Sequence, residues 1–186
     1  MNTMIISAFP ACGKTYLYKN QETLTFKYLG KEKSFTFQDS ESSKYSKDAE
    51  WEKRYVDDIV DKLGSVDFIF ISQHENVLAE LKNRHIPFVV IAPNNSKYTS
   101  DKERQLTKQQ WFGRFILRDN SHIRDINGWL NFLKCNYDEW TSFEHLTKYE
   151  PVATFLLNEN QYLSDVIEDL YWKKEKYTDS YCFSKI

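Results

Sequence analysis

The chain has 186 residues, a net charge of −2, 16% aromatic residues, and only five Gly and four Pro. That length suits one domain with a substantial core, and so many aromatics with so few breakers exclude a disordered or low-complexity chain. The near-neutral balance gives no overall pull toward nucleic acid or anionic membrane. No apolar run reaches membrane-spanning length, and Cys12, Cys135 and Cys182 lack both disulfide parity and metal-ligand spacing. A single cytoplasmic α/β domain over residues 1–186, with no membrane contact, is expected.

The first strand is Met4-Ile5-Ile6-Ser7, and it runs straight into Ala8-Phe9-Pro10-Ala11-Cys12-Gly13-Lys14-Thr15. This octet fits the looser form of the phosphate-binding loop: Ala or Gly, four free positions, then Gly-Lys-Thr. The spacing has a physical reason. Successive backbone N–H groups curl round a β-phosphate, and the helix that follows points its positive end at the same charge. Lys14 is then expected to reach β- and γ-phosphate oxygens of ATP, and the Thr15 hydroxyl to hold Mg²⁺. Gly13 is the one loop residue free to take positive φ without steric cost. Cys12, beside Lys14 at a helix start, is expected to have a lowered pKa and to react readily.

Residues 14–20 read as a short first helix. Residues 24–28 and 34–37 are strand-like with Gly30 between them, forming either a hairpin or, in one of them, the second strand of a parallel sheet. The second run ends in the polar stretch Gln38-Asp39-Ser40-Glu41-Ser42-Ser43-Lys44-Tyr45, at the strand edge where ligands lie in open α/β sheets. Residues 46–63 form a helix in which Trp51, Tyr55, Val56, Ile59, Val60 and Leu63 recur at helical spacing before Gly64. A buried strand at 67–72 follows and ends in Ser72-Gln73-His74-Glu75. A second crossover helix at 76–84 and an apolar strand at 87–92 complete a strand–helix alternation, the signature of a parallel sheet. Beyond the polar loop at 94–99, Ser100 and Glu103 form a capping box that opens a basic helix. Further helix is expected at 121–135 and around Trp140, Phe143 and Leu146, a last strand at 152–157, a closing helix at 162–172, and a polar tail from Lys173.

Two constellations carry chemistry beyond the loop. A Walker-B acid is expected at a buried strand's end, yet residues 68–71 deliver Ser72, with Asp67 at the opposite end. His74 and Glu75 lie just past that strand tip, and Asp39, His74 and Glu75 are the alternatives for the missing carboxylate's role. In Arg114-Phe115-Ile116-Leu117-Arg118-Asp119-Asn120, two guanidiniums four apart share a helical face and can converge on one anion. Phosphoryl transfer depends on cations placed round the transferring group, and the planar fork of Arg suits phosphate oxygens better than Lys.

The order of phosphate loop, polar strand tip, apolar strand without a Walker-B acid, then arginine-rich segment resembles the P-loop nucleoside monophosphate kinases. More narrowly, residues 39–45, 68–74 and 114–121 look like the small P-loop kinase-like proteins common in bacteriophages and prophages. The resemblance covers about residues 4–167 and implies a three-layer P-loop NTPase fold, with a parallel sheet of about five strands and helices on both faces. It further implies a lid at about 94–120 supplying Arg104, Arg114 and Arg118, and an acceptor over the strand tips near Asp39, Glu41 and His74. The function implied is Mg²⁺- and ATP-dependent phosphoryl transfer to a nucleotide, either a deoxynucleoside monophosphate or a base in phage DNA. Lys14, Arg114, Arg118, His74 and Asp39 are the expected catalytic set. A P-loop nucleotide switch, or a nucleotide-binding interaction protein without kinase activity, are the alternatives.

Overall fold

Three runs of the chain bury every or nearly every residue, and these become the middle of a sheet. They are β1 (Met4–Ala8), β5 (Phe68–Ile71) and β6 (Val89–Pro93). The computed structural model describes residues 3–28, 30–95, 100–118 and 125–171. With β4 (Phe37–Asp39) and β7 (Ala153–Leu157) they form a five-stranded sheet in the order β4-β5-β1-β6-β7. All four pairings are parallel, with Ile5 opposite Ile69 and Ser7 opposite Val90. Strands buried on both faces cannot alternate polar and apolar residues, which explains their unbroken Ile, Val and Phe content.

Helices cover both faces. On one, Ile6, Phe68, Phe70, Val89 and Ile91 pack against Leu17 of α1 (Lys14–Asn20), Trp111 and Phe115 of α4 (Asp101–Leu117), and Leu133 and Tyr137 of α5 (Ile126–Trp140). On the other, Ile5, Ile69, Ile71, Val90 and Ala92 meet Tyr55, Val56 and Ile59 of α2 (Trp51–Val60), Val77, Leu78 and Leu81 of α3 (Glu75–Asn83), and Leu146 of α6 (Phe143–Lys148). The α/β parallel sheet flanked by helices is as expected from the strand–helix alternation.

Several boundaries differ from the sequence expectation. Between residues 24 and 37 both alternatives occur, with shifted partners. β2 (Phe26–Tyr28) pairs antiparallel with β3 (Lys31–Lys33), and Phe37–Asp39 joins the main sheet. The charged segment Lys31–Lys33 is a poor strand former alone, but the register sets Lys27 opposite Glu32, with an ion pair at 2.8 Å. Helix α2 starts only at Trp51, because Glu50 sits in the left-handed region at φ 70° and residues 46–50 are not helical. Ser100 does cap α4, accepting from the Glu103 N–H. The expected helix at 121–135 is observed from Ile126, capped by Asp125, while residues 121–124 lie outside the described residues. The expected closing helix at 162–172 is observed only over 167–171, after a 3₁₀ turn at Leu163–Asp165; Trp172 and the tail lie outside the described residues. Among the described residues no helix is long and apolar enough to cross a membrane.

Candidate functional site

The chain direction across the sheet reverses beside β1. The strands that leave it on one side are β5 and β4, on the other β6 and β7, and the carboxyl edge at such a switch is where an open parallel sheet leaves a crevice. The loop from Ala8 to Thr15 lies there. Phe9 N–H donates to Ile91 O, so the chain leaves β1 still anchored to β6. Cys12 N–H then returns to Phe9 O, closing a four-residue turn with Pro10 second and Ala11 third. Ala11 has φ 67° and Gly13 φ 101°, so two loop residues, not Gly13 alone, take positive φ. Pro followed by a left-handed residue is the pattern of a type II turn, and Gly13 then caps α1.

The Lys14 ammonium donates to the carbonyls of Ala8 and Phe9, its own strand end. Burial lowers its pKa, with Cys12 and Asp39 pulling the other way. The Thr15 hydroxyl donates to Asp39 Oδ2 at 2.9 Å. Asp39 is 6% exposed at the tip of β4. Burial raises its pKa, although the Lys14 charge and the Thr15 hydrogen bond both oppose the shift. Asp39 is therefore the carboxylate that faces Thr15. At the tip of β5, Ser72 takes no such part, its hydroxyl being buried without a hydrogen-bond partner among the described residues, and Asp67 at the strand's start accepts from the Thr36 N–H and hydroxyl.

Residues 11–16, together with Arg114, Leu117 and Arg118 of the α4 end and Tyr162 and Ser164, enclose a cavity of about 530 Å³. The two arginines are placed differently within it. Arg114 donates to the carbonyls of Gln161 and Glu159. Its guanidinium lies 4.4 Å from the Trp111 ring and 4.2 Å from Tyr162. It thereby ties α4 to the turn after β7. Arg118 stands just past the helix, in extended backbone, 4.5 Å over the Phe115 ring. Burial lowers its pKa, while Asp39 and Glu41 pull it upward.

Other expected residues are placed elsewhere. Arg104 is a turn from the start of α4, mostly exposed, 3.9 Å from Asp101 and outside the cavity lining; ten residues of helix, about 15 Å, separate it from Arg114. His74 occupies the N-cap position of α3, with Nε2 3.1 Å from Ser42 Oγ and its ring edge-on to Trp51. Burial, with Lys47 and Lys14 nearby, lowers its pKa to about 4, so it is neutral at physiological pH. Glu75 turns toward Lys148 and His145. Glu41 lines a second cavity of about 310 Å³ with Asp39, Lys44, Tyr45 and Asp58. Asp39 thus borders this second cavity while holding Thr15, which lines the first.

Cys12 departs from expectation altogether. It has no exposed surface, and burial pushes its thiol up to about 12, outweighing Lys14 and Arg114. Its carbonyl accepts from Leu163 N–H at 2.8 Å, so the residue fastens the loop to the Leu163–Asp165 turn. Sequence reasoning missed that turn as a wall of the site. The available signal was positional: it follows β7, whose carboxyl end must lie on the same edge as the loop.

No model of a known protein family matches the chain, and no curated protein matches it significantly.

Proposed function

We propose that the protein is a P-loop phosphotransferase that binds MgATP at the Ala8–Thr15 loop and transfers its γ-phosphoryl group to a nucleotide, in the cytoplasm. The observation that carries this reading is the Thr15–Asp39 hydrogen bond at 2.9 Å beside Lys14: Lys14 and Thr15 line the 530 Å³ cavity, and Asp39 borders the smaller one. A hydroxyl and a carboxylate so close form an oxygen donor pair of the kind Mg²⁺ takes, directly or through its waters. Asp39 supplies from β4 the acid that β5 lacks. The fit to a triphosphate rests on Gly13, whose left-handed backbone lets the loop turn into α1, and on Lys14 and Arg118 as cations lining one cavity.

In this reading Lys14 leaves its carbonyl partners to pair with phosphate oxygens, Arg118 offsets charge on the transferring group, and Asp39 lies between donor and acceptor cavities. The acceptor occupies the smaller cavity, near Asp39 and Glu41. Mg²⁺ supplies charge neutralisation between the phosphates, and the protein's part is positioning and fixed electrostatics. His74, neutral and turned to Ser42, holds the turn that follows β4 rather than exchanging a proton.

A second reading, a nucleotide-binding switch or interaction protein without transfer, is favoured by one feature. Arg114 gives donors to backbone carbonyls, so fewer cations are left for the transferring group. Labelled ATP with Mg²⁺, offered to all nucleoside monophosphates, nucleosides and single-stranded DNA, separates the two. A kinase yields a labelled product and acceptor-stimulated ADP; a switch binds ATP and is indifferent to every acceptor. Absence of ATP binding would remove both.

A further inference from the structure

Away from the cavity, three helices bring together side chains suited to a metal ion. Glu75 opens α3, Glu139 lies in the last turn of α5, and His145 in the first turn of α6. One donor atom from each lies within 4.8 Å of the other two. We infer that Glu75, Glu139 and His145 form a site for one transition-metal ion of the zinc class, clasping α3, α5 and α6 together.

The buried imidazole distinguishes this cluster from an ordinary group of surface acids. The His145 side chain is 4% exposed, and Nδ1 stands 3.6 Å from Glu75 Oε1, beyond hydrogen-bond length. Its Nε2 is fully buried and has no hydrogen-bond partner among the described residues. A buried ring nitrogen without a partner is costly, and coordination by one nitrogen, with rotation of the ring, is a way to satisfy it.

The carboxylates complete the set from the solvent side. Glu139 is exposed and the Glu75 side chain is 43% exposed, so both can swing and an ion has a path in. Bonds of about 2.0–2.1 Å set tetrahedral ligand atoms about 3.4 Å apart, a contraction that rotation of the glutamates can supply. Lys148 Nζ lies 3.3 Å from Glu75, so a bound metal ion competes with it for that one carboxylate. Two carboxylates and one imidazole suit zinc, whereas Mg²⁺ and Ca²⁺ favour oxygen alone. Water fills the fourth position.

The test is titration of the full chain with Zn²⁺ against a chromophoric chelator, repeated with Cys135→Ser, since Cys135 is an exposed thiol. One ion per chain should bind in the micromolar range or tighter, without competition from Mg²⁺. Glu139→Gln, at an exposed position that should not disturb folding, is expected to weaken binding roughly tenfold or more, and His145→Gln at least as much. Lys148→Met should tighten it by removing the competing charge. No binding in the micromolar range, an affinity unchanged by Glu139→Gln, or binding lost with Cys135→Ser would each overturn the site.

Discussion

On the sheet side of the 530 Å³ cavity, Lys14 and Thr15 are held by a loop fastened at both sides, with Asp39 at the β4 tip behind Thr15. On the helical side, Arg114 and Arg118 stand four residues apart on the same wall but are engaged differently. Arg114 is clamped between two aromatic rings and spends donors on backbone carbonyls. Arg118 lies past the helix end, over one ring, in the field of Asp39 and Glu41. Helical spacing therefore predicts a shared wall but not a shared role. The role follows from what else lies within reach, and Arg114 meets the carbonyls of the turn after β7.

Exchanging the two arginines for alanine should break this comparison most sharply. If Arg118 meets developing negative charge, Arg118→Ala should cut turnover roughly 10²–10³-fold with little change in thermal midpoint. Arg118→Lys should restore part, lacking the paired fork. Arg114→Ala should do the reverse. It removes charge-assisted hydrogen bonds and stacking together worth about 2–4 kcal/mol, so the protein should unfold several degrees earlier. Steady-state kinetics and thermal unfolding of both variants decide the matter. Equal kinetic losses at unchanged stability would erase the distinction.

Lys14→Ala probes the loop side of the cavity. A charged hydrogen bond to phosphate contributes about 1.5–3 kcal/mol, so triphosphate affinity should fall roughly 10–100-fold. Calorimetric titration with MgATP measures this, and an unchanged affinity would remove the loop from the binding site.

How much of this was legible beforehand depends on how local each feature is. The strands at 68–71 and 89–93 and the helix at 14–20 are declared by unbroken apolar runs and by the loop motif itself. The Thr15–Asp39 contact joins residues 24 apart, through a strand whose place at the sheet edge no local pattern reveals. Polar residues at a strand tip marked Asp39, Glu41 and His74 alike, and burial alone separates them. Asp39 is inside, Glu41 pairs with Lys44 at 3.5 Å, and His74 turns to Ser42. Cys12 was misread for the same reason. Its neighbours favour a thiolate, but complete burial raises the thiol's pKa more than they lower it.

Asp39→Asn yields a smaller effect with a defined sign. Its folded pKa lies above the unfolded value, so the native state holds the proton more tightly. That contribution to stability is present on the acid side and is lost as pH rises from the ordinary carboxylate range through the raised value. At neutral pH the buried charge is a net burden, and Asn, still able to accept from Thr15, should leave stability equal or slightly higher. Mg²⁺-dependent turnover should nevertheless fall. Unfolding curves from mildly acid to neutral pH should show the wild type losing stability relative to the variant as pH rises. A variant that loses stability as pH rises relative to wild type would contradict the burial argument.

The smallest expected effect concerns Ala11. At φ 67° an alanine's Cβ crowds its own backbone, at a cost of about 1–2 kcal/mol. Glycine removes that strain but adds conformational freedom to the unfolded chain, worth about 0.4–1 kcal/mol. The strain term is the larger, so Ala11→Gly should stabilise by about 0.5–1 kcal/mol, or roughly 1–4 °C in a chain of this size. Pro10 at the preceding turn position and the Cys12 N–H bond to Phe9 O both remain, so the loop's path should not change. Nucleotide affinity should stay within about twofold, because the substitution relaxes a backbone already in place rather than creating one. Thermal unfolding beside MgATP titration measures both. A loss of stability in Ala11→Gly would mean that Ala11 packs more than it strains, consistent with its partly buried contact against the core, and would shift the loop's conformational burden to Gly13.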